Sequence, residues 1–313
     1  MEKGGNSHMK KLLATLLVLM LVLCASFASA EGLTIGYSTK TITNDAFQLS
    51  LHDAIKAAVE ANGDTFVSVI AESQTAVATQ VSQIEDLINQ GVDGLLVNPM
   101  DSNACIQVLE KAKEAGIPVV LVDQGIEEGH EDLYVTFIST DNYAGGQSAG
   151  ERMAEVLGGE GNVIIVRGAN GSQAGDDRAE GFKAGIEGTG LELINEQPGD
   201  WVVDKAMQVT ENMIQANPDI QGIFCCSDNM LPGILQALNN NDIEGVTIIS
   251  FDGSDAGIDM IKDGSVYGTV AQFPETIGQW GVDYLMKAIN GETEGIESFI
   301  DAGTEIIDAT NAE

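Results

Sequence analysis

From Leu33 onward the chain alternates between short apolar runs and longer stretches in which apolar residues return at helical spacing. Leu33–Tyr37, Phe66–Ile70, Gly94–Val97 and Pro118–Val122 are predicted as buried strands. Between them Val77, Val81, Ile84, Leu87 and Ile88 share one face of a predicted helix, with Gly91 suited to end it. Ala104–Ala115 repeats the pattern, with Val108, Leu109 and Ala112 on one face and Gly116 closing it. A second series follows. Its strands are Val135–Ser139, Val163–Val166, Leu191–Asn195, Ile220–Cys225 and Val246–Phe251. Its helices fall near Ala144–Leu157, Ala174–Ile186, Val203–Ala216, Asn229–Leu238 and Asp255–Ile261. Strand–helix alternation gives parallel sheets with right-handed crossovers. Two similar α/β domains, each of about 120–150 residues, are expected rather than one sheet.

One apolar run breaks the pattern, Leu12 to Phe27, directly after Lys10-Lys11. Followed by Ala28-Ser29-Ala30, it has the form of a secretory signal peptide, with cleavage expected after Ala30. It is short for a membrane span, which needs roughly 20 residues. Cys24 offers lipid modification as a minor alternative, although Leu23 stands where a small residue is usual.

Charge narrows the partners. The 313 residues carry 48 acidic and 14 basic side chains, a formal net charge of −34. Removing residues 1–30 takes away three Lys and one Glu, which deepens it to −36. Such a chain is not built to neutralise nucleic-acid phosphates or to adsorb to an anionic membrane. With 44% hydrophobic residues it can still bury a substantial core. Beyond the leader, Cys105, Cys225 and Cys226 form no disulfide framework and no CxxC pair. Cys225-Cys226 reads as two small strand residues, or as an adjacent-residue disulfide beside a site.

In open parallel sheets ligands bind beyond the carboxyl ends of the strands. The residues there are Asn98, Asp123-Gln124, Ser227-Asp228, Asp252 and, after Gly268–Ala271, Gln272. Each alone could be a helix cap or turn former. Together they suit a ligand rich in hydroxyl groups, because carboxylates and amides each bond two of them. No catalytic constellation competes. His52 is expected on a helix surface, and no metal, phosphate-loop or dinucleotide motif occurs. Gly146-Gln147-Ser148-Ala149-Gly150 has the letters of a nucleophile elbow but lies inside a predicted helix, where small-residue packing explains it.

Ordered motifs then carry a resemblance across the mature length: Asn98-Pro99-Met100-Asp101-Ser102, Thr140-Asp141-Asn142-Tyr143-Ala144-Gly145-Gly146, Arg178-Ala179-Glu180-Gly181-Phe182, Gln197-Pro198-Gly199-Asp200-Trp201, Phe251-Asp252-Gly253 and Ala271-Gln272-Phe273-Pro274. In these the chain resembles the periplasmic sugar-binding proteins of the ribose-binding type, substrate-binding components of ABC transporters. The resemblance implies two Rossmann-like lobes joined by three hinge strands, near Ser139–Asp141, Ala271–Phe273 and Ile300–Ala302. The lobes would be 31–139 with 273–300, and 140–271 with 301–313. It implies a sugar pocket of Asn44, Phe47, Asp123, Arg178, Trp201, Asp252 and Gln272, with Gln124 and Ser227 at two further pocket positions. The ribose type has Arg where Gln124 stands, Asn where Ser227 stands, an aromatic at Ala46 and a small hydroxyl residue at Lys40. These departures imply a larger pocket and a hexose, an inositol or another polyol, with Lys40 leaving room for an acidic sugar. A periplasmic monomer without cofactor, delivering its ligand to an ABC permease, is the expectation. A receptor presenting sugar to a sensor kinase or chemoreceptor is the runner-up. A secreted α/β enzyme ranks lower, and a sugar-responsive repressor would need a basic DNA-binding segment where the leader stands.

Overall fold

The computed structural model describes residues 32–312. The leader, its cleavage point and Cys24 lie outside the described residues.

The first series builds a six-stranded sheet. Its strands are β1 (Thr34–Thr39), β2 (Thr65–Ile70), β3 (Gly94–Val97), β4 (Val119–Val122), β5 (Thr136–Ser139) and β11 (Phe299–Asp301). They lie side by side in the order β11-β5-β4-β3-β1-β2, every neighbour parallel. The second sheet holds β6 (Glu160–Arg167), β7 (Gly190–Pro198), β8 (Gly222–Cys225), β9 (Thr247–Asp252), β10 (Gly268–Ala271) and β12 (Glu305–Asp308). Its order is β12-β10-β9-β8-β6-β7, and only β12 runs antiparallel. The pattern is the same twice: the first strand of each sheet lies between its second and third. That reversal of strand order opens a crevice at the carboxyl ends of the central strands, and in both sheets those ends carry the polar residues named above.

Helices cover the sheets because their apolar stripes must be buried. They are α1 (Ala46–Ala61), α2 (Val77–Gln90), α3 (Ile106–Glu114), α4 (Asn142–Val156), α5 (Gln173–Ile186), α6 (Val203–Ala216), α7 (Leu231–Asn240), α8 (Asp255–Lys262) and α9 (Pro274–Ile289). Helix α9 packs on α1 and on the first sheet, so the chain returns there after β10. It passes between the sheets at residues 140–141, 272–273 and 302–304. Two bonds tie the crossings: Ala302 N–H to Ser139 O at 2.8 Å and Asp141 N–H to Asp301 Oδ1 at 3.0 Å.

Several elements depart from the sequence expectation. The helix expected over Asn229–Leu238 is a 3-10 turn, Asp228–Met230, followed by α7, whose first turn holds Pro232. A proline lacks the N–H that would continue the turn into a single helix, but it is accommodated at a helix start. Helix α3 begins two residues later than expected, after a turn in which the Asp101 carboxylate accepts from the N–H groups of Asn103 and Ala104. His52 is half-buried rather than on an open helix surface, with Nδ1 3.1 Å from Asp53 Oδ1. Its ring packs between Tyr37 and Phe66, and Nε2 meets Ser68 Oγ at 3.2 Å. Cys105, Cys225 and Cys226 are free and buried, so the adjacent-residue disulfide does not form.

The small residues of α4 bring it against α5. A Cβ on Gly146 would sit 2.2 Å from the carbonyl oxygen of Arg178, and one on Gly181 would sit 2.1 Å from that of Tyr143. The two backbones therefore touch, and this contact sets the height of Arg178 in the crevice. Gly146→Ala should destabilise the protein by about 1–3 kcal/mol in urea unfolding, although alanine is the better helix former. An unchanged or higher midpoint would show that α4 and α5 do not need this approach.

Candidate functional site

The polar strand ends of both sheets meet in one cleft. Lys40, Asp45, Phe47, Gln48, Asp123 and Gln124 line it from the first sheet's side. Ala174, Arg178, Trp201, Ser227, Asp252 and Gln272 line it from the other. Eight of the nine residues singled out in the sequence thus come together. Asn44 does not. It lines a neighbouring groove with Ile42, Ala46 and Val203, and its left-handed backbone (φ 57°) makes the turn that starts α1.

On the first side Asp123 is the centre. It is 3% exposed and its backbone is left-handed (φ 65°), which is uncommon for a residue with a side chain. Its Oδ2 accepts from Gln48 Nε2 and from Asn98 Nδ2, each at 2.8 Å, and Lys40 Nζ lies 3.5 Å away. Asn98 also donates to Gln48 Oε1 at 2.8 Å, closing the network behind the cleft. Asp45 caps α1 by accepting from Gln48 N–H at 3.0 Å, and it also accepts from Gln74 Nε2 at 2.7 Å. Burial raises its carboxyl above the ordinary range, against the pull of those bonds and of Lys40. Gln124 reaches across the cleft, where Ser172 Oγ donates to its Oε1 at 2.6 Å.

On the second side Arg178 is 3% exposed. Its Nε donates to Asn142 Oδ1 at 2.8 Å, and its Nη1 donates to the carbonyl of Cys226 at 2.7 Å. Nη1 also lies 3.3 Å from Asp252 Oδ1, and the guanidinium carbon stands 3.9 Å from the centre of the Phe251 ring. No described residue accepts from Nη2. Asp252 takes Ser227 Oγ at 2.6 Å and Gln272 Nε2 at 2.7 Å. Its backbone is held at φ 122°, a strained conformation of a kind that clusters at functional sites. Behind it the buried Asp228 accepts from Ser250, from Thr269 and twice from Ser254, fixing the loop after β9. Burial pushes the Asp252 carboxyl up to about 7, with Arg178 pulling it down and Asp228 pushing it further up.

Two rings bound the cleft, Phe47 and Trp201. Asp200 and Trp201 are consecutive left-handed residues (φ 54° and 62°), and Asn229 Nδ2 donates to the Trp201 carbonyl at 2.8 Å. A Cβ on Gly168 would fall 1.9 Å from the indole, so the ring packs directly against the Gly168 backbone. Trp201 serves both the core of the second sheet and the cleft wall. Carboxylates, amides and a guanidinium between two aromatic faces can bind hydroxyl groups around an apolar ring. Among the described residues no group of three His, Cys, Asp or Glu is placed to hold a metal.

Sequence reasoning missed Asp45, Gln48 and Ala174 as lining residues. Gln48 had a signal: it interrupts the apolar stripe Phe47, Leu51, Ile55 and Ala58 of α1 and is 3% exposed. A polar side chain on a buried stripe needs a partner, and here the partner is Asp123.

A family model described as periplasmic binding protein domain matches residues 35–293. The ribose import binding protein of Haemophilus influenzae is 35% identical over 284 residues, covering 91% of this chain and 95% of its own. A solved ABC transporter solute binding protein from Mycobacterium smegmatis, with bound glycerol, superposes with a TM-score of 0.82 at 30% identity, covering 90% of this chain and 96% of that one. Another, from Actinobacillus succinogenes with bound D-allose, gives 0.81 at 27%, covering 89% and 98%.

The raised carboxyl of Asp252 makes stability depend on pH. An unfolded Asp releases its proton near ~4, whereas the folded one keeps it until about 7. Between those values the folded state holds more protons, so its stability falls as pH rises and levels off above. Asp252→Asn removes this group while leaving Arg178, Asp228 and Asp45, the charges that face it. The melting temperature of the ligand-free variant should rise relative to wild type as pH climbs from about 4 to about 7. A difference that stays flat or shrinks across that window would place the Asp252 titration elsewhere.

Proposed function

The chain belongs to the periplasmic binding protein family, and on that premise we propose that it captures a sugar or polyol in the cleft and delivers it to an ABC import permease. One observation carries the reading. Hydrogen-bonding side chains from both sheets, anchored by Asp123 on one side and by Arg178 with Asp252 on the other, converge between Phe47 and Trp201.

In this reading residues 31–139 with 273–300 form one lobe, and 140–271 with 301–313 the other. They hinge about the three crossings. A ligand that bonds both lobes at once stabilises the closed arrangement over the open one by its extra contacts there, and the permease recognises the closed form. The protein works as a monomer in the periplasm, or secreted, after residues 1–30 are removed. Charge-assisted bonds from Asp123, Asp252 and Arg178 hold hydroxyl groups, while Gln124, Ser227 and Gln272 set their spacing. No bond is made or broken. Ala46 leaves room beside Phe47, where a further groove lined by Ser50, Ser254 and Glu275 adjoins the cleft, which favours a six-carbon sugar or an inositol over a pentose.

A thermal-shift screen tests this directly, because a ligand bound only by the folded state raises the melting temperature. At least one hexose, inositol or other polyol should shift the mature protein, and Arg178→Ala should bind it at least tenfold more weakly, a loss of about 1.4 kcal/mol or more. Silence from pentoses, hexoses, inositols, polyols and sugar acids alike would overturn the reading. Affinity unchanged within twofold in the variant would remove Arg178 from the site.

A further inference from the structure

Asp123 and Asp252 each have a buried cation beside them, but a second groove on the molecule holds acids with none. It runs along the first crossing between the sheets, where Thr140 and Asp141 line it. Tyr134, Phe137 and Phe299 border it from the first sheet's side, and Gln173 and Asp177, in the first turns of α5, from the other. Asp123 and Ala174 line both this groove and the cleft, so the two adjoin.

Four acids line the groove, Asp123, Glu131, Asp141 and Asp177, and no Lys, Arg or His does. Asp123 has its cation in Lys40. The other three form no ion pair among the described residues. Acids alone would be a solvated surface, and three further observations set this groove apart. Thr140 is 1% exposed, and its Oγ1 has no hydrogen-bond partner. Gln173 Oε1 is likewise buried without one. Buried oxygens of this kind call for a donor. Asp177 is half-buried, and no described residue donates to its carboxylate. Burial, with Asp176 and Asp141, pushes that carboxyl up to about 6; Arg178 opposes the rise and Glu128 adds to it. A carboxylate in such surroundings gains from any cation brought beside it. Finally, the rings of Phe137 and Phe299 lie 5.4 Å apart at 50° to one another, and Phe299 is 38% exposed. Aromatic faces attract a cationic head and cover an alkyl stem.

We propose that this groove is a second ligand site, one that takes a primary alkylammonium ion. The ammonium donates to Asp177 and to the unpartnered oxygens of Thr140 and Gln173, and the alkyl stem lies against Phe137 and Phe299. A quaternary ammonium would bring the charge without the donors, and an alcohol a donor without the charge. The site is separate from whatever fills the cleft, and it does not depend on the sugar or polyol reading.

The test titrates the mature protein with n-butylammonium, 1-butanol and tetramethylammonium at fixed pH and ionic strength, following amide NMR shifts. n-Butylammonium should bind saturably, and at least about threefold more tightly than either of the other two. Asp177→Asn and Phe299→Ala should each weaken it by at least about threefold. Glu60→Gln, which removes one charge outside the groove, should leave it unchanged. Melting temperatures report whether each variant is folded, and Phe299→Leu replaces Phe299→Ala if that variant is not. Absence of saturation overturns the proposal, as does a smaller loss in either groove variant. Equal or tighter binding of 1-butanol or tetramethylammonium also overturns it. So does a loss in Glu60→Gln matching that in Asp177→Asn, which would mark diffuse attraction to an acidic protein.

Discussion

A guanidinium removed from water must find acceptors for its N–H groups, and the second half of this molecule is arranged around that demand at Arg178. Asn142 at the start of α4, the Cys226 carbonyl at the end of β8 and Asp252 at the end of β9 each supply one acceptor. Three elements distant in sequence must therefore arrive at one point. The glycines of α4 and α5 let the two helices approach until their backbones touch, and that approach brings Asn142 to the arginine. The face of Phe251 completes the enclosure at 3.9 Å. Leaving such a group unpaired would cost several kcal/mol, so fold and site stand or fall together here.

The first sheet meets the same problem with a buried anion. Asp123 is neutralised by Lys40 and bonded by Gln48 and Asn98, as Arg178 is by Asp252, Asn142 and Cys226. The two halves share a strand order, and the equivalent strand ends carry Asp123 after β4 and Asp252 at the end of β9, each facing a buried cation. Asp123, Trp201 and Asp252 all hold left-handed or strained backbones. Each such residue costs of order 1–3 kcal/mol and persists only where its surroundings over-determine it. The donors around Asp228 and the bond from Asn229 to the Trp201 carbonyl provide that restraint.

Much of this was legible in the order of residues, for identifiable reasons. Strands such as Gly94–Val97 and helices such as Val203–Ala216 fall where apolar runs and helical spacing put them, since burial on one face leaves a period in the sequence. Residues at strand ends were legible because parallel sheets send them to a common edge. Gln48 and Asp45 were not, because they enter from the first turn of a helix, where a polar residue ordinarily reads as a cap or as surface. His52 was misplaced for a related reason: its neighbours suggest an exposed helix face, and only the packing of Tyr37 and Phe66 turns it inward. The partnership of Lys40 with Asp123 joins residues 83 positions apart, and no local pattern encodes it.

The cleft between the sheets is the feature on which every functional statement depends, and Trp201 reports on it from within. The chain has two tryptophans, and the other, Trp280, lies on α9 and is 37% exposed. In a Trp280→Phe protein the emission of Trp201 should change saturably with sugar or polyol concentration, with the same midpoint as binding measured by calorimetry. A ligand that binds by calorimetry while leaving the Trp201 emission unmoved would show that it occupies some other place.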